Sequence, residues 1–452
     1  EAIVRMGAYI DLLAPIAFFI MAWYFLGPVR AVACTAIFLF FSIGQEPGWA
    51  VPTYSPRMIS VSFCQWFFYI EVILVDRAFR SIRIGPSMLA GAGAGVTFLA
   101  HAGPAMIAVL LFAVFAMIDL SAALGRKDLR GTWTRIKACI AAGVAFIVAT
   151  LPLTWYIVGD YHMHVVNRSG FLYTYYALTL KDKDLFLYHN LSVVNLFALA
   201  GVWIILRHAK RAGVSMRTQA LFITWLWLTL ALFIYSYAVA VLAPHYAVHL
   251  PALLPTYHFY FYMKGALTVF AGVAAWEFFA WAWTRFHRSV DRNALIMSTR
   301  PVIILFALIA LACTLNYPAY ATRRDVFSVR NRNVAFMDRT EGIEAADRIH
   351  ALLPWDAVVL CEGDLSIWPM LPTARHVVST ASTMGNPYLD QSQRQTDNAL
   401  LLLGMYAPRP DTGELLDRDH VTHLLVRPSD LPLMPEAPHW FPTEVFRKNG
   451  YV

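Results

Sequence analysis

Charge is what this chain has least of. Only 14% of its 452 residues are Asp, Glu, Lys or Arg, against 58% apolar residues, 14% aromatics and a mean hydropathy of +0.53. That is more apolar surface than a soluble core of this size needs, and it fits a polytopic α-helical membrane protein. Cysteine is scarce too, with five in all. Cys34, Cys64, Cys139 and Cys313 fall in apolar segments and Cys361 in a short buried-type strand, so no disulfide framework or Cys-based metal site follows. The first 27 residues lack the basic start and small-residue cleavage site of a signal peptide. No Gly-rich phosphate fingerprint accompanies the strand-like runs, which argues against a nucleotide site. Repeats at a fixed period are missing, and with them the symmetry many carriers show. The net charge of +7 sits mostly in short connectors between apolar runs, where it is topology information, and nucleic acid is rejected as a partner.

What is present is a series of apolar runs. A hydrocarbon core about 30 Å thick takes about 20 helical residues. Ten segments approach that length, at 8–27, 31–44, 58–75, 88–101, 104–122, 137–157, 191–207, 218–241, 257–283 and 301–317. The pair 88–101 and 104–122 is short enough to form a re-entrant hairpin. Basic clusters around Arg77–Arg83, Arg126–Lys137, His208–Arg217 and Arg285–Arg300 alternate with apolar runs so that all lie on one face, the cytoplasm. Residue 1, the segments 45–57, 158–190 and 242–256, and everything after 318 then face outward. The 158–190 segment is aromatic-rich (Tyr161, Phe171, Tyr173, Tyr175, Tyr176) and is expected to lie at headgroup level.

From 318 the alphabet changes. Residues 342–354 carry Ile343, Ala346, Ile349 and Leu352 at helical spacing. Strands are expected at 356–361, 375–379 and 421–426, with helices near 364–370 and 393–406 between them. That alternation predicts a small parallel or mixed sheet flanked by helices. The division is a membrane body over 1–320 and an extracytoplasmic α/β domain over 321–452.

Ionisable residues at membrane depth are expensive, which makes Asp11 and Lys264 candidates; they share a depth from the outer end, where pairing with each other is the plainer alternative. Glu71 and Glu277 lie toward the cytoplasmic ends of their spans, where mild burial or pairing with loop arginines accounts for them. A second set lines the outer boundary: Glu46, Tyr54, Arg57, His101, His245, His249, Tyr257 and His258. Arginine and histidine at headgroup depth suit a phosphate or pyrophosphate on a polyprenyl chain, because guanidinium offers a planar fork of donors to phosphoryl oxygens. Anchoring to ordinary lipid phosphate is the plain alternative for Arg57. His245 and His249 are four apart with a Pro on either side and no acidic ligand near, a poor metal pair.

Four stretches together resemble the GT-C superfamily of membrane glycosyltransferases: the paired spans from Ala8 to Gly44, YSPRMISVSFCQWFFYIEVILVDRAFRS, the hairpin GAGVTFLAHAGPAMIAVLLF, and the terminal segment with LLPWDAVVLCEGDLSIWPMLPTARHVVST and HVTHLLV. The hairpin is similar to a family motif in which a small-residue helix ends in a polar residue before Gly-Pro, here His101 before Gly103 and Pro104. In the aminoarabinose and mannosyl transferases that polar residue is often Lys, so His101 departs from the pattern. The resemblance implies an enzyme of the bacterial cytoplasmic membrane that takes sugar from a polyprenyl-phosphate donor on the external face. It leaves room for a divalent cation at the phosphates.

The resemblance also implies that the family's usual first span and first external loop, with its catalytic acid, would precede Glu1. An upstream segment or a separate polypeptide would supply that acid, and Glu46 is the substitute nominated within these residues. A non-catalytic scaffold subunit of a membrane complex and a lipid or solute transporter are the two competing readings.

Overall fold

The computed structural model describes residues 10, 12–40, 64–81, 83–162, 193–208, 214–239, 246, 256–286, 299–314, 347–362, 365–370, 373–380, 388–404 and 410–425. The chain divides into two compact units, one of residues 2–156 and 174–330, the other of 331–452 with 157–173.

The first unit is helical. Among the described residues it contains α1 (Leu13–Leu26), α2 (Pro28–Phe40), α3 (Gln65–Ser81), α4 (Ile84–Ala100), α5 (Ala102–Gly125), α6 (Leu129–Gly159, ending in the second unit), α7 (Val193–His208), α8 (Met216–Tyr237), α9 (Thr256–Phe286) and α10 (Thr299–Thr314). Each overlaps one of the apolar runs in the sequence. Four stretches, Ala102–Gly125, Leu129–Gly159, Met216–Ser236 and Phe261–Phe286, are long and apolar enough to cross a membrane. At 1.5 Å per residue, the 24 residues of α5 extend about 36 Å. The second arm of the 88–122 pair is thus long enough to span by itself.

Local chemistry sets the helix ends. Gly27, at φ +81°, breaks α1 from α2, and Pro28 opens the next helix where its missing N–H is not needed. Lys127 takes a left-handed φ of 56°, and Asp128 then caps α6 by accepting the Gly131 N–H at 2.8 Å. Ser215 caps α8 through the Thr218 N–H at 3.1 Å.

Between helices in lipid, close packing of small residues replaces the hydrophobic drive. α9 is the central post and packs against α2, α5, α7 and α8. Gly201 of α7 sits so close to it that a Cβ would lie 1.9 Å from the Phe270 carbonyl oxygen, and a Cβ on Gly272 would lie 2.5 Å from Cys34 Sγ of α2. α4 is lined by glycine on two sides: Gly91 and Gly95 face Ala142, Phe146 and Ala149 of α6, and Gly93 faces Glu71 of α3. Aromatic rings fill the centre, with Phe68 edge-on to Trp225 at 5.1 Å and to Tyr262 at 5.0 Å. The most apolar window of α9 is 67% buried and that of α6 only 17%, so α9 is the inner helix and α6 the outer. Ile140, Val144, Ile147, Leu151 and Trp155 of α6 are exposed, a face that suits hydrocarbon and not water.

In the second unit a helix over 347–352 leads to β1 (Val358–Cys361), α11 (Ile367–Met370), β2 (His376–Val377), α12 (Gln391–Gly404), α13 (Thr412–Arg418) and β3 (His423–Leu425). The strands form a parallel sheet in the order β2-β1-β3, pairing Val358 with His376 and Leu360 with Leu424. Leu360, Val378, Leu401, Leu415, Leu416 and Val421 form its core. Arg375 ties the edge by donating to the carbonyls of Leu353 (2.7 Å), His350 and Thr373, and Asn398 donates to Cys361 O at the end of β1 (3.1 Å). The thiols of Cys34, Cys64 and Cys139 are free.

Candidate functional site

Two of the residues singled out by sequence meet. His101 occupies the one-residue break between α4 and α5 with extended backbone, φ −167° and ψ 130°. Its N–H closes α4 on Thr97 O at 2.8 Å, and its Nδ1 accepts the Gly103 N–H at 3.0 Å. A ring nitrogen that accepts carries no proton, so the neutral ring presents Nε2–H as a donor. The Gly-Pro that follows is what permits this: Pro104 cannot donate, and Gly103 brings its N–H close to the imidazole.

His258, in the first turn of α9, is 5% exposed and stacks on His101 with ring centroids 4.8 Å apart and planes 29° apart. Six residues along α9, Lys264 is also 5% exposed, with Nζ 5.6 Å from the centroid of Phe261. Asp11, Glu46, Tyr54, Arg57, His245 and His249 lie outside the described residues, and so does the side chain of Tyr257.

Sequence reasoning missed a third layer beside these groups. Tyr69 of α3 and Trp225 of α8 are fully buried, yet Tyr69 OH and Trp225 Nε1 have no hydrogen-bond partner among the described residues. Gln65 Oε1 and Trp66 Nε1, at the start of α3, are in the same condition. Gly265 leaves room at this point, since a Cβ there would lie 3.0 Å from both Tyr69 OH and the Trp225 ring. The signal available in the sequence was a phenol and an indole placed within spans and away from the interface, where a polar tip needs a reason.

The opposite end of the helical unit is different. Asp76 of α3 has a fully buried carboxylate that accepts from Arg80 Nε (2.6 Å), Arg217 Nε (2.9 Å) and Tyr24 OH (2.9 Å). Glu277 of α9 pairs with Arg30 at 3.0 Å, and Asp119 of α5 with Arg135 at 2.7 Å. The expected pairing of Glu277 thus comes from Arg30, which lies within α2 and not in a connector. Glu71 is buried, and more deeply than expected. It is 2% exposed, its Oε2 has no partner among the described residues, and it lies against the backbone of Gly93.

In the second unit Asp397 pairs with Arg418 and accepts from Gln393 Nε2 at 2.8 Å. Burial, and then the neighbouring Asp397, push the Asp419 carboxyl above its ordinary range against the pull of Arg394, Arg418 and His420. Burial lowers His423, with Asp356 opposing. Among the described residues no three His, Cys, Asp or Glu side chains gather where a metal ion would be held.

No protein-family model matches this chain, and no curated protein sequence matches it.

Proposed function

We propose that this chain is an integral membrane glycosyltransferase, or the larger part of one, that moves a sugar from a polyprenyl-phosphate donor on the external face of the bacterial cytoplasmic membrane. The observation that carries the reading is the stacked pair His101 and His258, with buried Lys264 on the same helix and the N-terminus of α5 beside them. Imidazole N–H groups, an ammonium and a helix N-terminus all favour phosphate, and the surrounding apolar walls suit its polyprenyl tail. In this reading the helices make ten crossings, the basic connectors lie in the cytoplasm, and residues 321–452 form an α/β domain outside.

The chemistry follows from charge. An acceptor hydroxyl attacks the anomeric carbon, the bond from that carbon to the phosphate oxygen breaks, and polyprenyl phosphate leaves with the bonding electrons. His101, His258 and Lys264 stabilise the negative charge that develops on it, joined by Arg57, Tyr54 and His245 from the same boundary. A carboxylate takes the hydroxyl proton, the role nominated for Glu46. Asp11 shares the depth of Lys264 and would hold that ammonium in place.

The test is binding of undecaprenyl phosphate to the full chain in lipid nanodiscs. A hydrogen bond to a charged group is worth about 1.5–3 kcal/mol, so His258→Ala or Lys264→Met is expected to weaken binding about tenfold or more, and Arg135→Gln not at all. Unchanged affinity in the first two variants would sink the reading. Orientation is tested separately with a thiol reagent that does not cross membranes: Ser392→Cys should be labelled from outside, and Arg130→Cys should not.

A further inference from the structure

The α3–α4 turn carries a groove of about 350 Å³, lined by Leu74, Arg77, Arg80 and Ser81 of α3 and by Gly85, Pro86 and Leu89 of α4. Its lining is mostly apolar. Leu74, Pro86 and Leu89 contribute to it, and Leu89 is 54% exposed, with Ile84 and Met88 continuing the exposed apolar strip along α4. Arg77 and Arg80 also border it, and their guanidinium carbons lie 5.8 and 5.3 Å from the centre of the Tyr24 ring. That ring holds both cations in place, which reduces the ordering a ligand would have to impose.

The local charge does not balance. Arg77, Arg80, Arg83 and Arg217 bring four positive charges to this corner and Asp76 brings one negative charge. The Asp76 carboxylate is fully buried and already occupied by Arg80, Arg217 and Tyr24. Arg77 is exposed at the groove, and half of the Arg80 side chain remains accessible.

We infer that this groove binds the headgroup and upper acyl chain of an anionic phospholipid. The ligand has to be anionic at the arginine end and apolar along Leu74 and Leu89, and it has to reach the site from the bilayer that the neighbouring helices face. A phosphodiester bearing net negative charge meets the first demand, since guanidinium presents paired donors to phosphoryl oxygens. An acyl chain meets the second. A zwitterionic lipid leaves the positive excess unmatched, and a soluble anion leaves the apolar wall wet. The inference is independent of the transferase reading and of which leaflet the basic connectors face.

The experiment uses the full chain purified in a neutral detergent and titrated with phosphatidylglycerol, phosphatidylcholine or inorganic phosphate. Binding is read by native mass spectrometry and the unfolding midpoint by a thermal melt. Phosphatidylglycerol should bind and raise the midpoint, and the other two should not. Each basic residue near an anionic lipid contributes about fivefold in affinity, so Arg77→Gln should weaken phosphatidylglycerol binding about fivefold. Leu89→Trp fills the groove and should weaken it comparably, while Arg130→Gln, which changes an exposed arginine in the first turn of α6, should leave it intact. The melt in the absence of lipid shows that each variant is folded. Equal binding of phosphatidylcholine overturns the inference, as does a full response to inorganic phosphate alone. So does retained binding in both groove variants, or a loss in Arg130→Gln as large as in Arg77→Gln, which would mean diffuse attraction.

Discussion

The two ends of the helical unit handle buried polarity in opposite ways. Where the basic connectors gather, Asp76, Glu277 and Asp119 each meet an arginine, and three helices close on Asp76 alone. Elsewhere in the unit, Tyr69 OH, Trp225 Nε1, Gln65 Oε1 and Trp66 Nε1 are buried without a partner among the described residues, the first two against Gly265, beside Lys264. An unmet buried donor is costly and a met one is nearly neutral. The matched end therefore reads as scaffold, and the unmatched end as the place where polar groups are kept for something that comes and goes. Arg30 Nε and Glu71 Oε2, both unpartnered among the described residues, are exceptions at the matched end.

The strongest way to break this comparison is Asp76→Ala. It leaves Arg217 and Arg80 facing a site with no anion, and removing one partner of a buried ion pair typically destabilises by about 3–5 kcal/mol. A thermal melt of the purified chain should show a large drop, and a shift of under a degree would mean that the matched end is not scaffold. Next in size is Gly201→Ala, whose Cβ would collide with the Phe270 carbonyl oxygen at 1.9 Å. Overpacking of this kind costs about 1–3 kcal/mol, measured as lost resistance to denaturant. Tyr69→Phe should do the reverse. It deletes a hydroxyl with no partner among the described residues, so stability should stay within about 1 kcal/mol of the parent, while undecaprenyl phosphate affinity falls. A large destabilisation would show that the hydroxyl is already satisfied.

The smallest effect sharpens the contrast inside one cluster of the second unit, where Asp397 is paired with Arg418 and Asp419 Oδ2 has no partner among the described residues. Because the Asp419 carboxyl is raised, the folded unit keeps that proton at a pH where the unfolded chain has lost it. The favourable contribution is complete below about pH 4, the unfolded value, and is lost as pH rises through the folded one. Asp419→Asn should flatten that slope, seen as hydrogen-exchange protection over residues 412–425, corrected for the intrinsic rise of exchange with pH, that no longer falls between pH 4 and pH 7.

The apolar runs marked the ten helices described in the first unit, four of which are long and apolar enough to cross a membrane. Their ends were less legible where charge interrupts a run. The reading of 58–75 stopped short of Asp76, whereas α3 continues to Ser81 because Arg217 and Tyr24 neutralise that carboxylate across helices. The reading of 137–157 began at Lys137, but Asp128 caps the helix and starts it at Leu129. His101 stood out through the Gly-Pro after it, and its meeting with His258 is a contact between residues far apart in sequence that no local pattern carries. Tyr69 and Trp225 were hidden by composition, which counts them as apolar. The strands near 358, 376 and 423 were visible as short β-branched or Leu-rich runs, but the order that puts β1 in the middle was not.

That middle position has a consequence for how the second unit is made. β1 gains its first neighbour soon after synthesis, but its other edge pairs with a segment 64 residues further on, where Thr422 receives the N–H of Val358. A ribosome that stalls before residue 422 leaves a sticky, half-finished sheet. Chaperones and proteases would meet the nascent tail in that state, and truncations in the last stretch should be degraded and not simply shortened.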